Sequence, residues 1–200
     1  CICPELPFEV KLIELEPQDT IDIGVFHINC LKVNHKITCY AYNVQVKRVG
    51  RFDVQKANAL NIPKKLWSIL QKQQSVEFEG KTYTSDMVLG SPRKGIKVSY
   101  CTDTRPTKEL PAFVENSDLF ICEGMYGEKD KIQKAKEYKH MMFTEAAEIA
   151  KKANVNEMWL THFSPAMPFP EEFLPSAKEI FENTHIGKDR KNVTLLFEED

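Results

Sequence analysis

An α/β fold is the class this sequence predicts, and three observations predict it. Residues 1–47 are rich in β-branched and aromatic residues with alternating polarity, and the rest alternates strand-like with helix-like stretches. Three of the strand-like stretches also end at polar residues: Asp103, Glu123 and His162. In layered α/β folds, sites gather at strand ends because the loops there are free to converge.

Taken in order, "FEVKLIEL", "DTIDIGVFHINCLKVNH" and "ITCYAYNVQV" read as strands, with clear alternation in Phe8-Val10-Leu12 and Thr38-Tyr40-Tyr42. Residues 47–74 are basic and carry a helix near 53–60, a break at Pro63, and a second short helix bearing Trp67, Ile69 and Leu70. "SVEFEGKTYTSDMVLG" has the pattern of a hairpin turning at Gly80. The stretch that runs into Asp103 reads as a buried strand through Ile96, Val98 and Tyr100. The apolar run 119–122 leads a second strand into Glu123-Gly124. Residues 128–155 are helical, with apolar positions at Phe143, Ala146, Ala147 and Ala150, and His140 falls inside this stretch. "NEMWLTHFSP" is a strand ending at His162, "PSAKEIFEN" a last helix, and "NVTLLFEE" a closing strand.

Composition narrows the classes. The 200 residues are 42% hydrophobic and 28% charged, an ordinary globular balance for one domain or one large lobe. A net charge of −2 gives no global nucleic-acid signature, so any such binding must come from a local patch. No apolar run approaches the roughly 18 residues of a membrane span. The start, "CICPELPFEV", lacks a basic region followed by an apolar core and reads as the middle of a longer protein rather than a signal peptide. Cys1, Cys3, Cys30, Cys39, Cys101 and Cys122 show no CxxC pairing, so they are expected as reduced thiols in a cytoplasmic protein.

The polar strand ends admit two readings. An aspartate just past a strand can be a hydrated rim cap, or a metal ligand held where the strand is stiff and its end is open. Histidines at 27, 35, 140, 162 and 185 are individually ordinary, yet neutral imidazoles and a carboxylate are the donor set zinc prefers. Sequence spacings of tens of residues leave the choice open.

The stretches "NHKITCYAYNV", "GRFDVQKANALNIP", "YCTDTRP", "SDLFICEGMYG", "KHMMFTEAAEIAKKANV" and "MWLTHFSP" together resemble, in order and interval, the Firmicutes-type ribonuclease Z family. The resemblance covers essentially the whole chain. It implies part of a metallo-β-lactamase αββα sandwich lacking the N-terminal part of the fold, with residues 1–200 as its C-terminal portion. It implies a zinc-dependent endonuclease that removes 3′ trailers from tRNA precursors, with two zinc ions per intact site. The sheet face and strand edge left open by a missing N-terminal part lead us to expect association, as a homodimer. Site residues follow position by position: His35, Asp103 and His162 as metal ligands, with Asp103 bridging, and His140 and Glu123 as catalytic and supporting residues. His27 and His185 match nothing in the pattern. A tRNA-binding arm is implied at residues 46–74, with Lys47, Arg48, Arg51, Lys56, Lys64 and Lys65 as its phosphate contacts; without the resemblance, these cations read equally as a solvated basic face.

Two departures and one omission qualify this pattern. Lys64-Lys65 stands where many relatives carry Gly-Pro, and Ala166 stands where the motif H-F-S-x-R-Y has arginine. The principal ligand motif H-x-H-x-D-H is absent, since no H-x-H occurs in the chain. The expectation is therefore a half-site, weak in zinc and inactive alone, completed by a missing N-terminal segment. The alternatives are a related metallo-β-lactamase-fold phosphodiesterase or hydrolase without tRNA preference, and a non-catalytic RNA-binding subunit.

Overall fold

The computed structural model describes residues 8–16 and 19–198; Cys1, Cys3 and Glu199 lie outside the described residues. Among the described residues, nine strands and six α-helices follow one another as β1 (Thr20–Ile23), β2 (Phe26–Lys32), β3 (Tyr40–Arg48), α1 (Val54–Ala59), α2 (Lys64–Leu70), β4 (Ser75–Phe78), β5 (Lys81–Thr84), β6 (Arg93–Cys101), α3 (Leu110–Val114), β7 (Leu119–Glu123), α4 (Ile132–Tyr138), α5 (Phe143–Lys152), β8 (Met158–Thr161), α6 (Leu174–Lys178) and β9 (Thr184–Ile186). Seven strands form one sheet in the order β1-β2-β3-β6-β7-β8-β9. Its first half is an antiparallel meander, and β6 through β9 run parallel with helical crossovers between them. Parallel neighbours need long connections, which is why α3 to α6 carry the chain between the strands of the second half. Among the described residues no helix is long and apolar enough to cross a membrane.

One face of the sheet is sealed by helices. Ala41, Cys101, Phe120, Cys122, Met158 and Leu160 point into a core shared with Phe143, Ala146, Ala147 and Ala150 of α5 and with Leu110 and Val114 of α3. The alanines of α5 let that helix lie close on the strands. Alternation along β6 is present, but its phase is the reverse of the one expected: Ser99 and Cys101 are fully buried, while Tyr100 is 46% exposed. Ile96, Val98 and Tyr100 share the other face with Val46, Val44 and Tyr42 of β3, across from which they pair. A period of two says that the faces differ, and only the packed helices decide which face is inside.

Three other expectations differ from the structure, and one helix was not expected at all. Residues 8–16 form no strand, and Leu12 is 87% exposed, because the alternation there meets no partner edge among the described residues. Residues 192–198 form no strand either. The parallel position beside β8 is taken by Thr184–Ile186 instead. The terminal stretch is held by side chains, with Arg48 Nη1 donating to the Glu198 carbonyl at 2.6 Å and its guanidinium lying over Phe197. The helix expected over 128–155 breaks in two, and His140 sits in the break rather than on a helix. Lys139 ends α4 with left-handed backbone at φ 61°, and α5 begins only after Met142, whose N–H is held by the Glu145 carboxylate at 2.9 Å. Helix α3 was not anticipated from the sequence.

Between β3 and β6 the chain makes a subdomain with a core of its own. Ala57, Ile62, Leu66, Leu70, Val88 and Leu89 are buried there with Trp67, Phe78 and Tyr83 packed around them. Asp53 caps α1, accepting from the Lys56 N–H, and β4-β5 turns at Glu79-Gly80, both with positive φ as a type I′ turn requires. Residues 46–74 therefore stop short of the unit, which runs from Phe52 to Leu89 and closes through a bridge between those two residues. Its neck is narrow: Gly90 N donates to Arg51 O at 2.8 Å, and a Cβ on Gly50 would lie 2.1 Å from the Gly90 carbonyl oxygen. Gly50→Ala is accordingly expected to cost about 1–3 kcal/mol through forced separation of the two backbones. A fall in melting temperature checks this, and an unchanged value would mean that the neck opens freely.

Candidate metal centre

The parallel run β6-β7-β8 brings three chain exits to one edge of the sheet. Asp103 follows β6, Glu123 ends β7, and His162 follows β8. Asp103 and His162 both have left-handed backbone, each at φ 55°. That conformation is uncommon for side-chain-bearing residues and turns the side chain sharply off the strand direction. His35 arrives from the loop after β2, tied down where Asn34 N donates to Thr104 Oγ1 at 3.0 Å and Arg105 N donates to Asn34 O at 3.0 Å. His140 comes from the break between α4 and α5.

These residues converge. Asp103 Oδ1 lies 3.3 Å from His162 Nε2 and 3.8 Å from His35 Nε2. The His140 ring stands between the two imidazoles, its centroid 5.0 Å from that of His35 and 5.5 Å from that of His162. His35, Asp103 and His140 each offer a ligand atom within 4.8 Å of the others'. The five residues expected from the sequence thus come to one place, and the three whose ligand atoms all lie within 4.8 Å of one another include His140 rather than His162.

Hydrogen bonding behind the rings decides which nitrogens face forward. His35 Nδ1 donates to the Lys139 carbonyl at 3.1 Å, and since a carbonyl only accepts, Nε2 keeps its lone pair. Lys139 returns the contact, Nζ donating to His35 O at 3.1 Å. His140 Nδ1 lies 2.9 Å from Glu123 Oε2, and where the carboxyl carries the proton it donates to Nδ1 and leaves the ring's own N–H on Nε2. Glu123 has no exposed surface, and its carboxyl also accepts from Thr104 N at 2.6 Å and Met141 N at 3.2 Å. Burial, and after it the charge of Asp103, pushes its pKa up to about 8 against the pull of those N–H groups and of Arg105. Burial also pulls the His140 imidazole below its usual range, and the neighbouring His35 and His162 add to this. Free ring nitrogens and a carboxylate with little conformational freedom are a donor set that fits zinc.

Sequence reasoning missed Lys139, Arg105 and Glu145. Arg105 grips Glu145 with both terminal nitrogens and donates to the His140 carbonyl at 2.6 Å. The only local signal was Glu145 three residues past Met142, the spacing of a helix-capping glutamate. Cys30, Cys39, Cys101 and Cys122 carry free thiols. His27 pairs with Asp22 and His185 with Asn183, both away from the centre.

The basic residues lie elsewhere. Arg48 pairs with Arg93 at the start of β6, whereas Asp103 follows its end. Nine residues of strand put the two ends on the order of 25 Å apart. Lys47, Arg51 and Lys64 are exposed. Lys56 donates to the Leu89 carbonyl at 2.9 Å, and Lys65 Nζ lies 3.7 Å over the Phe78 ring, so both also serve the subdomain's own packing.

Comparison with known proteins supplies the family. No family model matches the chain. A ribonuclease Z of Agathobacter rectalis is 56% identical over 200 residues, covering 100% of this chain and 66% of the relative. A ribonuclease Z of Clostridium botulinum is 47% identical over 210 residues, covering 98% of this chain and 67% of the relative. The chain belongs to the ribonuclease Z family. It spans 66% of the length of the Agathobacter relative and the same share of one from Lachnoclostridium phytofermentans at 52% identity. Among solved structures, the metallo-β-lactamase fold protein YhfI of Bacillus subtilis matches with a TM-score of 0.58 at 24% identity, over 89% of this chain and 53% of that one. The short form of human tRNase Z matches with a TM-score of 0.53 at 16% identity, over 90% of this chain and 48% of that one. The fold is therefore part of a metallo-β-lactamase fold.

Proposed function

We propose that this chain, within a protein of its relatives' full length, forms one wall of a two-zinc site that cuts the phosphodiester backbone at the 3′ trailer of tRNA precursors. The observation that carries the reading is the Asp103 carboxylate set between the imidazoles of His35 and His162, with a third imidazole, His140, backed by a buried carboxyl. When bound, the ions supply positive charge that polarises a phosphoryl oxygen and makes a water acidic at neutral pH. His35 and His162 would each hold one ion through Nε2, and Asp103 would touch both. His140 is better suited to the proton than to a metal. With Glu123 protonated and donating to Nδ1, the ring would hold its own proton on Nε2 toward the phosphoryl or leaving oxygen, and as that proton leaves, Nδ1 would take the one from Glu123.

This chain offers each ion one histidine and a shared carboxylate, fewer than the three protein ligands of a working zinc site. We therefore assign the remaining ligands to residues beyond these 200, and expect the chain alone to hold zinc weakly and to cut no RNA. The half-exposed sheet face of Tyr42, Val44, Val98 and Tyr100 is where the rest of the protein would pack. A cytoplasmic setting agrees with the free thiols.

The subdomain 52–89 is assigned as the tRNA clamp, with Lys56, Lys64 and Lys65 on it and Lys47, Arg48 and Arg51 on the strand and neck that lead into it. A basic grip so far from the reacting bond is of use only against a long, stiff polyanion. Because Arg51 and Gly90 are already hydrogen-bonded at the neck, residues 52–89 can be replaced by a short turn without parting β3 from β6. In the full-length protein that deletion is expected to lower kcat/KM for tRNA precursor by about 100-fold, the loss of the contacts of Lys56, Lys64 and Lys65. Hydrolysis of a small phosphodiester should survive within a few-fold. Equal loss on both substrates would place the subdomain in the fold's stability, and no loss on either would favour a hydrolase without tRNA preference.

A further inference from the structure

We propose that Arg105, locked by Glu145, is a positioning residue for His140, and that it couples the direction of that imidazole to the loops carrying His35 and Asp103. The proposal rests on the reading of His140 as the proton-handling group.

The break between α4 and α5 is a poor place to hold a ring. His140 belongs to neither of the helices that flank it, and the break begins with a left-handed residue. What fixes it is a set of bonds to four consecutive backbone and ring groups. Glu123 takes His140 Nδ1 and Met141 N, and Glu145 takes Met142 N. Arg105 Nη1 donates to His140 O at 2.6 Å and to Glu145 Oε2 at 2.7 Å, while Nη2 holds Glu145 Oε1. The guanidinium and the carboxylate are only 15% and 20% exposed, so this is a fork-to-fork pair sheltered from competing water. With carbonyl, ring nitrogen and the two following N–H groups all held, the imidazole has one direction.

Arg105 reaches further through its main chain. It stands two residues after Asp103, and its N–H holds the carbonyl of Asn34, the residue before His35. One residue therefore touches the backbone beside His35, lies beside Asp103, and holds the backbone of His140. A lysine could supply the charge, but as a single point it cannot hold both Glu145 oxygens and the His140 carbonyl together.

The test uses the full-length protein with Arg105→Lys, His140→Ala and the double variant, assayed on a 3′-extended tRNA precursor, with metal content and melting temperature recorded. Arg105→Lys is expected to lower kcat about 10- to 100-fold, with KM and bound metal unchanged. In the His140→Ala background the same change should cost nothing further, because Arg105 acts through that ring. Glu145→Gln, which keeps the bond from Met142 N, should give a smaller loss with the same dependence on His140, and stands in if Arg105→Lys does not fold. In chelator-treated protein, the ¹⁵N-imidazole signals of His140 should shift and broaden in Arg105→Lys while those of His185 stay put. A loss of equal size with and without His140, or wild-type kcat in Arg105→Lys, overturns the positioning role and leaves the proposed function standing. Wild-type cleavage by His140→Ala overturns the assignment of His140, and this proposal with it.

Discussion

Asp103→Asn in the full-length protein is expected to empty the metal site and to lower RNA cleavage by about three orders of magnitude. The figure follows from the several kcal/mol that metal ions supply to a developing charge, with each 1.4 kcal/mol worth a factor of ten. Asparagine is the informative substitution because of the backbone. Asp103 sits at φ 55°, a conformation that asparagine tolerates and alanine does not, so Asp103→Asn removes charge without adding strain. The flanking histidines would remain, His162 Nε2 and His35 Nε2, at 3.3 and 3.8 Å from an oxygen that no longer carries charge. Metal content by elemental analysis, melting temperature and cleavage rate should be read on the same preparation. Two bound ions and full activity would dismiss Asp103 as the bridge and return it to the role of a hydrated rim cap.

Glu123 gives the second large effect, in stability against pH. In the metal-free protein, burial holds its folded pKa near 8, while the unfolded chain ionises at the usual value of 4.5. Between those values the folded state binds the extra proton, so stability falls as pH rises through the window. The stabilising contribution of the protonated form is complete below pH 4.5 and is lost by pH 8. At roughly 1.4 kcal/mol for each pH unit, the full difference is on the order of a few kcal/mol. Glu123→Gln carries no titrating group and can still accept from Thr104 N. The melting temperature of chelator-treated wild type minus that of Glu123→Gln should therefore decline from pH 4.5 to 8. A difference that is flat or rises over that range would show that the carboxyl is ionised throughout, stabilised by its three hydrogen-bonding partners.

Much of the site was legible because its residues terminate strands. A strand's alternation and its polar last residue are local, so Asp103, Glu123 and His162 could be placed from a few neighbours each, as could the Glu79-Gly80 turn and the two helices after Asp53. His140 was found but misplaced on a helix, because the apolar period of α5 extends smoothly backwards through Met141-Met142. The left-handed Lys139 that interrupts it has no sequence signature, lysine being an ordinary helix former. The basic stretch was visible as a charge cluster, while its limits were not. The hairpin beyond Gln74 belongs to the same core through Val76, Phe78 and Tyr83, contacts that do not follow from chain order.

By itself the sequence determined the α/β class and the polar exits of the strands, since each depends on residues within a few positions of one another. The tertiary structure decided the rest. It chose which face of β6 is buried, because phase is set by the helices that pack on a strand and not by its period. It chose the forward nitrogen of His35 through a carbonyl 104 residues away. It joined Arg105 to Glu145 across 40 residues, and so gave the break that carries His140 its rigidity. Hydrogen bonds at such separations exist only after the sheet has brought its strand ends together, so no local pattern in the chain can announce them.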